Sequence, residues 1–309
     1  MKATAAAHAN IALVKYWGKR DEALLLPEAG SLSVALDKLL TTTTVTLGDF
    51  ASDVFTLDGR AADPRDARRV LDAAGIRERA HIESHNQFPT AAGLASSASG
   101  FAALAVAACA AAGSRRSEAE LSALARLGSG SASRSVPGGW AVWEGESARQ
   151  VHPESHWDLR FCIAICSSGA KKVRSRDGMR ATRETSPFHA AFIEQCRRDL
   201  PEAIRLLGAR DLRGLGALAE RNALRMHSDA LAADPPLLYW QPATVACLHA
   251  LEDLREGGVD AWPTIDAGPH VVAICAAGSA ARVEARLREV PGILDVLVCA
   301  PAGGAHVVR

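Results

Sequence analysis

A loop of small residues at 89–100 runs directly into an alanine-rich apolar segment at 101–112. Small side chains let the backbone come close to a ligand, and the first amides of a helix attract phosphate through their partial positive charge. Hydroxyls on Ser96, Ser97 and Ser99 offer further donors or a magnesium contact. The segment therefore predicts either a phosphate-binding loop or a small-residue helix start packed against a sheet. It is not the Gly-Lys-Ser/Thr type of loop, because no lysine follows its glycines.

The length and charge of the chain limit its class and its ligands. A chain of 309 residues exceeds the roughly 100–200 of a usual single domain, which predicts two lobes or one large α/β unit. Hydrophobic residues make up 48% and charged residues 23%, as in soluble globular proteins. Lys and Arg number 35, as do Asp and Glu, so no overall field attracts nucleic acid or an anionic membrane. We therefore expect a small-molecule substrate that is bound locally, with no nucleic-acid or membrane partner.

The cysteines and the apolar runs predict the compartment. The seven cysteines are odd in number and form no Cys-x-x-Cys pair with zinc-like spacing, which indicates buried free thiols in a reducing cytosol. The apolar run at 101–112 is shorter than the roughly 20 residues of a membrane span, and residues 1–20 have no export-signal pattern. The ten histidines include no metal-ligand cluster. We expect a cytoplasmic protein.

The order of predicted elements indicates an α+β chain with two lobes. A β-rich beginning is followed by two helices, and long amphipathic helices then precede a strand–helix–strand tail that is typical of a ferredoxin-like lobe. We place the boundary near residue 165, which gives lobes of 1–165 and 166–309. Strands are predicted at 9–16, 41–47, 140–143, 161–166, 271–275 and 293–299, and helices at 101–112, 117–127, 188–207, 212–224, 242–255 and 279–289.

Four further segments bring polar groups together. Serines flank Arg134 at 128–135. This segment is either a binding site for phosphate or carboxylate groups or an ordinary loop. The segment at 10–20 places three cations next to a buried strand. This end of the strand either binds a phosphoryl group or is solvated. Asp266 lies in an apolar strand beside a Gly-Pro turn, where a carboxylate is a turn cap or a catalytic acid or base. The basic run at 171–176 is either a solvated face or a closure over a diphosphate.

Taken in this order, these segments resemble the diphosphomevalonate decarboxylase family of the small-molecule (GHMP) kinase superfamily. The matching stretches are AxxNIALVKYWGKRD at 7–21, NQFPTAAGLASSASGFAAL at 86–104, SGSASRS at 129–135, KKVRSRDGM at 171–179, NALRMHSDALAADPPLLYW at 222–240 and TIDAGPH at 264–270. KYWGKR, FPTAAGLASSA and DAGP are typical of the decarboxylases rather than of the whole superfamily. The resemblance extends from one end of the chain to the other.

The resemblance implies a fold and a reaction. The fold would be two-lobed and GHMP-kinase-like, with a left-handed βαβ crossover in an N-terminal ATP-binding lobe and a ferredoxin-like C-terminal lobe. The reaction would be ATP- and magnesium-dependent decarboxylation of (R)-mevalonate 5-diphosphate to isopentenyl diphosphate, ADP, phosphate and carbon dioxide, through transient phosphorylation of the 3-hydroxyl. Relatives of this kind are commonly homodimers, so a homodimer is expected.

The resemblance also implies roles for the residues at matching positions. Asp266 would position or deprotonate the 3-hydroxyl, and Lys15 would neutralise the transferring phosphoryl group. Arg134 would belong to both the catalytic and the substrate-binding group. The other substrate-binding residues would be Asn10, Tyr16, Trp17, Gly18, Lys19, Arg65, Ser129, Gly130, Ser131, Ala132, Ser133, Ser175 and Arg176. ATP would be bound by Pro89, Ala91, Ala92, Gly93, Leu94, Ala95, Ser96 and Ser97, with magnesium contacted by Ser96 or Ser97 through the nucleotide.

Three positions depart from the family's usual residues. His270 replaces an asparagine, Ser133 a cysteine and Arg174 a serine. Histidine, unlike asparagine, is an ionisable residue, so these departures bear on pH dependence and substrate choice. The alternative functions are a decarboxylase or 3-kinase acting on mevalonate, mevalonate 5-phosphate or the 3,5-bisphosphate, a non-catalytic binding protein on the same scaffold, and a nucleic-acid-binding module. The presence of both Lys15 and Asp266 favours catalysis over binding alone.

Overall fold

The structure, a computed structural model, describes residues 1–88, 94–169 and 172–308. The strands are β1 (Lys2–Val14), β2 (Lys19–Asp21), β3 (Leu26–Pro27), β4 (Ser31–Gly48), β5 (Val54–Leu57), β6 (Arg60–Ala62), β7 (Arg79–Asn86), β8 (Trp140–Trp143), β9 (Ala148–His152), β10 (Leu159–Ile165), β11 (Ala261–Thr264), β12 (Val271–Ala276), β13 (Asp295–Cys299) and β14 (His306–Val307). The helices are α1 (Arg65–Ala73), α2 (Ser96–Ala111), α3 (Glu118–Gly128), α4 (Ala132–Ser135), α5 (Ser175–Thr185), α6 (His189–Ala209), α7 (Leu212–Leu231), α8 (Pro242–Glu256) and α9 (Ala280–Arg288).

A mixed eight-stranded sheet is built on the two long strands β1 and β4. The threonine-rich half of β4 alternates buried and half-buried residues, because β-branched side chains suit a sheet with one covered face. One side of β4 pairs with β1, and its other side pairs first with β8 and then with β7. The sheet continues through β7 to β5 and β6, and through β8 to β9, while β14 pairs with β1. Lys15 directly follows the C-terminal end of β1, where β1 pairs with the start of β4.

Helix α2 lies against β1 and β4 and is buried on nearly every face. Its alanines are small enough for the helix axis to approach the sheet closely, which explains why so apolar a helix suits this position. Ser99 faces the sheet, and its hydroxyl lies 2.6 Å from Thr41 Oγ1. The helix predicted at 101–112 is confirmed, although it begins earlier, at Ser96.

The second sheet has four antiparallel strands in the order β11–β12–β10–β13. In chain order these are the second, third, first and fourth strands, with helices after the first and third, which is the ferredoxin-like arrangement. Alternate residues of β10 face two different cores. Phe161 and Ile163 pack with α6 and α7, whereas Cys162 and Ala164 pack with α8 and α9. The prediction of a ferredoxin-like C-terminal lobe is confirmed.

The predicted helices and strands are found at the expected places, with ends that differ by a few residues at most positions. Three helices of the described residues were not predicted: α1, the four-residue α4, and α5, which begins inside the basic run. The boundary near residue 165 stays a prediction. In the structure, β10 precedes that boundary and pairs with β12 and β13, whereas β14 lies at the end of the chain and pairs with β1.

Within the described ranges, none of the helices combines the length and the apolar character that crossing a membrane requires. The seven cysteines are free and buried, as the sequence predicted.

Candidate active site

A cleft of about 690 Å³ brings together all five polar segments that the sequence indicated. Its walls come from the end of β1, the start of α2, the serine-rich loop before α4, the start of α5 and the loop after β11. Segments from both ends of the chain therefore meet at one site. Among the predicted residues, those that line the cleft are Asn10, Lys15, Tyr16, Trp17, Lys19, Leu94, Ala95, Ser96, Ser97, Ser129, Gly130, Ser131, Arg134, Ser175, Arg176 and Asp266.

The centre of the cleft holds a lysine–aspartate pair. Lys15 Nζ donates to Asp266 Oδ1 at 2.6 Å and to the carbonyl oxygen of Ala12 at 2.8 Å. The Lys15 side chain is only 1% exposed, whereas that of Asp266 is 27% exposed. Burial lowers the pKa of Lys15, and the neighbouring Asp266 carboxylate offsets part of that shift. The pair thus holds a carboxylate in a fixed position at the cleft surface.

Arg134 forms a second, fully buried cationic position. Its Nε donates to Asn10 Oδ1 at 3.2 Å, and a terminal guanidinium nitrogen donates to the hydroxyl of Ser31. The guanidinium carbon lies 5.9 Å from the Trp143 ring centroid. Asn10 is held in turn, because its Nδ2 donates to the carbonyl oxygen of Ser131 at 3.0 Å. Burial lowers the pKa of Arg134 to about 10, so the guanidinium remains positively charged at neutral pH.

Tyr16 and Lys19 add two donors from the segment after β1. The Tyr16 hydroxyl is buried and has no hydrogen-bond partner within the described ranges. Burial raises the pKa of Tyr16 well above its usual value, so the phenol stays protonated and can donate. A Cβ atom at Gly130 would lie 2.6 Å from the Tyr16 hydroxyl oxygen, so the backbone at 130 approaches this ring as only glycine permits. Lys19 is buried and donates to Glu22 Oε2 at 2.6 Å.

The start of α2 forms another part of the cleft wall. Ser97 Oγ lies 3.2 Å from Ser129 Oγ, which joins this helix start to the serine-rich loop. Ala95 precedes the helix with a left-handed φ of 54°, a conformation uncommon outside glycine. The first-turn amides of a helix lack intrahelical partners and carry partial positive charge, which suits an anion. Ser99 belongs to the packing against β4 instead.

Four of the predicted ATP-binding residues cannot be placed. Pro89, Ala91, Ala92 and Gly93 lie outside the described residues, so their role stays a prediction.

The basic run lies on the cleft, where α5 begins. Arg174, Ser175 and Arg176 line the cleft, while Lys171 lies outside the described residues. Arg176 spans from α5 to the other lobe, because it donates to the carbonyl oxygen of Gly128 at 3.2 Å and forms an ion pair of 3.4 Å with Asp66 on α1. Of the two interpretations of this run, its position favours closure over a ligand.

Several predicted substrate residues do not line the cleft. The Arg65 side chain is 89% exposed at the start of α1, where it pairs with Asp63. Gly18 packs against other protein groups, and Ser133 is buried with its hydroxyl donating to the carbonyl oxygen of Gly130 at 2.8 Å. Ala132 is buried beside it. Substrate contacts by these four residues stay predictions.

His270, one of the three departures from the family pattern, also lies outside the cleft lining. Its Nδ1 accepts a hydrogen bond from the backbone N–H of Cys166 at 3.1 Å. The ring is buried, and its Nε2 has no hydrogen-bond partner within the described ranges. His270 therefore supports the loop that carries Asp266 rather than facing the ligand.

Two residues of α7 that the sequence did not assign hold the lysine–aspartate pair. Asn222 Oδ1 accepts a hydrogen bond from the backbone N–H of Lys15 at 2.8 Å, and His227 Nε2 lies 3.2 Å from the carbonyl oxygen of Asp266. Burial, together with the charge of Lys15, lowers the pKa of His227 to about 4, so the ring is neutral and donates to that carbonyl. Both residues lie in the stretch at 222–240 that carries part of the family resemblance. The signal that could have identified them is the presence of polar residues on the buried face of an amphipathic helix.

Two family models match the chain. A model described as the diphosphomevalonate decarboxylase-like N-terminal domain matches residues 7–154, and the mevalonate 5-diphosphate decarboxylase C-terminal domain matches residues 161–295. The human diphosphomevalonate decarboxylase is 38% identical, over 87% of this chain and 75% of the human one. The bovine diphosphomevalonate decarboxylase is 37% identical over the same shares.

Solved structures agree with this result. The mevalonate diphosphate decarboxylase from Staphylococcus aureus superposes with a TM-score of 0.94 at 37% identity, covering 100% of this chain and 98% of that one. The structure of MDDEF in complex with MVAPP, AMPPCP and magnesium has a TM-score of 0.93 at 36% identity, covering 100% of this chain and 99% of that one.

Proposed function

The chain belongs to the diphosphomevalonate decarboxylase family, and from that premise we propose that its cleft converts mevalonate 5-diphosphate and ATP to isopentenyl diphosphate, ADP, phosphate and carbon dioxide. The observation that carries the proposal is the 2.6 Å pair of Lys15 and Asp266, which presents a carboxylate to a cleft whose lining also includes the cations Lys19, Arg134, Arg174 and Arg176. A single site of this kind can take a proton from a hydroxyl and stabilise the negative charge of phosphate groups.

The first step is phosphoryl transfer to the tertiary 3-hydroxyl. The hydroxyl oxygen forms a bond to the γ-phosphorus of ATP, the bond from that phosphorus to ADP breaks, and the hydroxyl proton passes to Asp266. Lys15 places its ammonium beside that carboxylate and neutralises part of the charge on the transferring group. The tertiary oxygen is thereby converted from a poor leaving group into a phosphate ester.

The second step is elimination. The carbon–oxygen bond to the new phosphate breaks and phosphate leaves with the electron pair, while the bond to the carboxylate breaks and its electron pair forms the carbon–carbon double bond. Asp266 first releases the proton to water, which its partly exposed side chain can contact. Positive charge then develops at the tertiary carbon, and the Asp266 carboxylate is the group placed to offset it. The diphosphate itself is not altered.

The remaining cations hold the unreactive end of the substrate. Arg134 is prepositioned by Asn10 and Ser31, so little side-chain entropy is lost when it binds an anion. Tyr16, Lys19, Ser129 and Ser131 supply further donors along the wall. Binding energy from this end orients the reacting carbon, and a chain of zero net charge can therefore hold a highly anionic substrate.

ATP fits the small-residue wall at the start of α2. Ser96 and Ser97 lie on the cleft there, and first-turn amides suit phosphate. Magnesium fits as a partner of the nucleotide, because the described residues include no group of three or more His, Cys, Asp or Glu side chains arranged to hold a metal. Magnesium usually keeps few protein ligands when it is bound with phosphates, so Ser96 or Ser97 would contact it. It would supply charge neutralisation on the transferring phosphoryl group.

The proposal is tested by supplying ATP and magnesium with mevalonate 5-diphosphate, mevalonate 5-phosphate, the 3,5-bisphosphate or mevalonate, and measuring carbon dioxide and ADP. We expect equal amounts of carbon dioxide and ADP with the diphosphate. ADP without carbon dioxide would indicate a 3-kinase. Turnover only with another phosphate form would overturn the substrate assignment and direct attention to His270 and Arg174.

Assembly and location extend the proposal. We place the protein as a homodimer in the cytoplasm, divided into lobes of 1–165 and 166–309. Free, buried cysteines suit a reducing compartment, and exposed apolar side chains such as Leu238 and Leu294 suit contact with a second copy. Light scattering after size-exclusion chromatography gives the mass in solution, and a monomeric mass would exclude the homodimer.

A further inference from the structure

The ion pair between Lys19 and Glu22 joins a cleft residue to a residue outside the cleft. Lys19 lines the cleft and its side chain is 3% exposed, whereas Glu22 follows β2 and its side chain is 45% exposed. The separation of Lys19 Nζ and Glu22 Oε2 is 2.6 Å. We propose that Glu22 competes with the diphosphate for Lys19, and so limits the affinity for substrate and product alike. The inference rests on the proposed function.

The unequal burial of the two partners supports an exchange of anions. A buried ammonium is costly without a counter-charge, so Lys19 requires an anion whether or not a ligand is bound. Glu22 lies at the surface and can return to water at little cost when a phosphate approaches Lys19. Two other carboxylates of this part of the chain are held by different partners: Asp21 accepts from the backbone N–H of Leu24 at 2.7 Å, and Glu28 Oε2 lies 3.3 Å from His189 Nε2.

Competition by Glu22 bears on release of the product, because substrate and product carry the same diphosphate. The diphosphate is the same in substrate and product, so its contacts stabilise the bound substrate and the bound product to the same extent. A cleft rich in buried cations holds this group tightly in both. A carboxylate that returns to Lys19 lowers both affinities by one factor, which favours release of the product.

A purely orienting role for Glu22 predicts the opposite sign. If the carboxylate only held the Lys19 side chain in place, its removal would weaken the binding of a phosphate ligand. If the carboxylate competes, its removal strengthens that binding. Because Glu22 is half exposed, Glu22→Gln should fold normally. The direction of the change in affinity for a phosphate ligand can therefore be measured.

The first experiment measures binding without turnover. Inorganic pyrophosphate, without magnesium, is titrated into the full-length protein by calorimetry. We expect Glu22→Gln to lower the dissociation constant about three- to fivefold, the strength of a partly exposed ion pair. Glu202→Gln is the matched control, because Glu202 forms a pair with Arg205 at the same i,i+3 spacing, 2.7 Å apart, away from the cleft. An unchanged or weaker affinity in Glu22→Gln would overturn the proposal.

The second experiment assigns the effect to Lys19. In a Lys19→Met background, Glu22→Gln should no longer increase the affinity for pyrophosphate. An increase of the same size would mean that Glu22 acts through the general charge of the cleft, and would refute the competition. In turnover, the KM for the diphosphate substrate and the inhibition constant of the product should fall by the same factor. A gain in pyrophosphate affinity without any decarboxylation would support the competition and contradict the proposed function, so the two fail separately.

Discussion

Lys15 Nζ and Asp266 Oδ1 lie 2.6 Å apart although 251 residues separate them in the sequence. Lys15 follows β1 of the first sheet, and Asp266 lies in the loop before β12 of the second. The reactive pair therefore forms only when the two sheets are docked. Asn222 and His227, both on α7, form hydrogen bonds with the backbone of Lys15 and of Asp266 respectively. Helix α7 therefore helps to fix the distance between Lys15 and Asp266.

Replacement of the carboxylate tests the catalytic assignment. We expect Asp266→Asn to lower kcat by about 10²–10⁴-fold, because the amide cannot accept the hydroxyl proton or offset developing positive charge. Carbon dioxide release measures the loss, and titration of the diphosphate substrate checks that binding persists. Asp260→Asn is the control, since Asp260 pairs with Arg213 away from the cleft at 3.0 Å. Retention of the original kcat in Asp266→Asn would remove Asp266 from the mechanism.

The close approach of Gly130 to Tyr16 predicts a steric effect. A Cβ at position 130 would lie 2.6 Å from the Tyr16 hydroxyl, so Gly130→Ala should displace the ring or the loop and raise the KM for the diphosphate by roughly tenfold. Gly145→Ala should leave KM unchanged, because no atom lies within 4 Å of a Cβ at that position. Adding Tyr16→Phe to Gly130→Ala removes that oxygen but leaves two ring carbons 2.9 Å from the Cβ, so KM should stay raised. If KM does not rise in Gly130→Ala, the backbone there does not limit the cleft.

Local patterns in the sequence predict six of the strands and six of the helices, about half of the elements in the described residues, and the residue types predict the segments that meet in the cleft. Periodicity locates α6, α7 and α8, because an amphipathic stripe repeats within each helix. The pattern does not locate α5, since Ser175–Thr185 is mostly polar and Met179 and Ala181 are its only apolar side chains. The contacts of Lys15 with Asp266 and with α7 depend on how two sheets dock, and no spacing along the chain encodes that distance. The catalytic roles of Lys15 and Asp266 are predicted by the family resemblance. The residue pattern by itself allows Asp266 to be a turn cap instead.

His227 provides a test of positioning through a backbone carbonyl. His227→Ala leaves the Asp266 carbonyl without its donor, so we expect kcat to fall by about fivefold while the KM for ATP changes little, since one buried hydrogen bond to a neutral group contributes about 1 kcal/mol. His227→Gln keeps an N–H donor and should recover most of the activity. Because burial lowers the pKa of His227 to about 4, the ring stays neutral above pH 5, and the pH–rate profile of His227→Gln should match that of the original enzyme. Equal losses in both variants would indicate that His227 only fills space.

His189 predicts how stability depends on pH. Burial of its ring opposes the charged form, but the carboxylates of Asp229, with an oxygen 2.8 Å away, and of Glu28 outweigh burial and raise the pKa of His189. A histidine whose pKa is raised in the folded state stabilises the protein fully below its unfolded pKa of about 6.5, and this contribution is lost as pH rises through the folded value. We therefore expect the free energy of unfolding, from urea denaturation, to fall between about pH 6 and pH 8 more steeply in the original protein than in His189→Gln. His249→Gln is the control, because His249 is 73% exposed. Identical slopes for the original protein and His189→Gln would mean that His189 does not gain protons on folding.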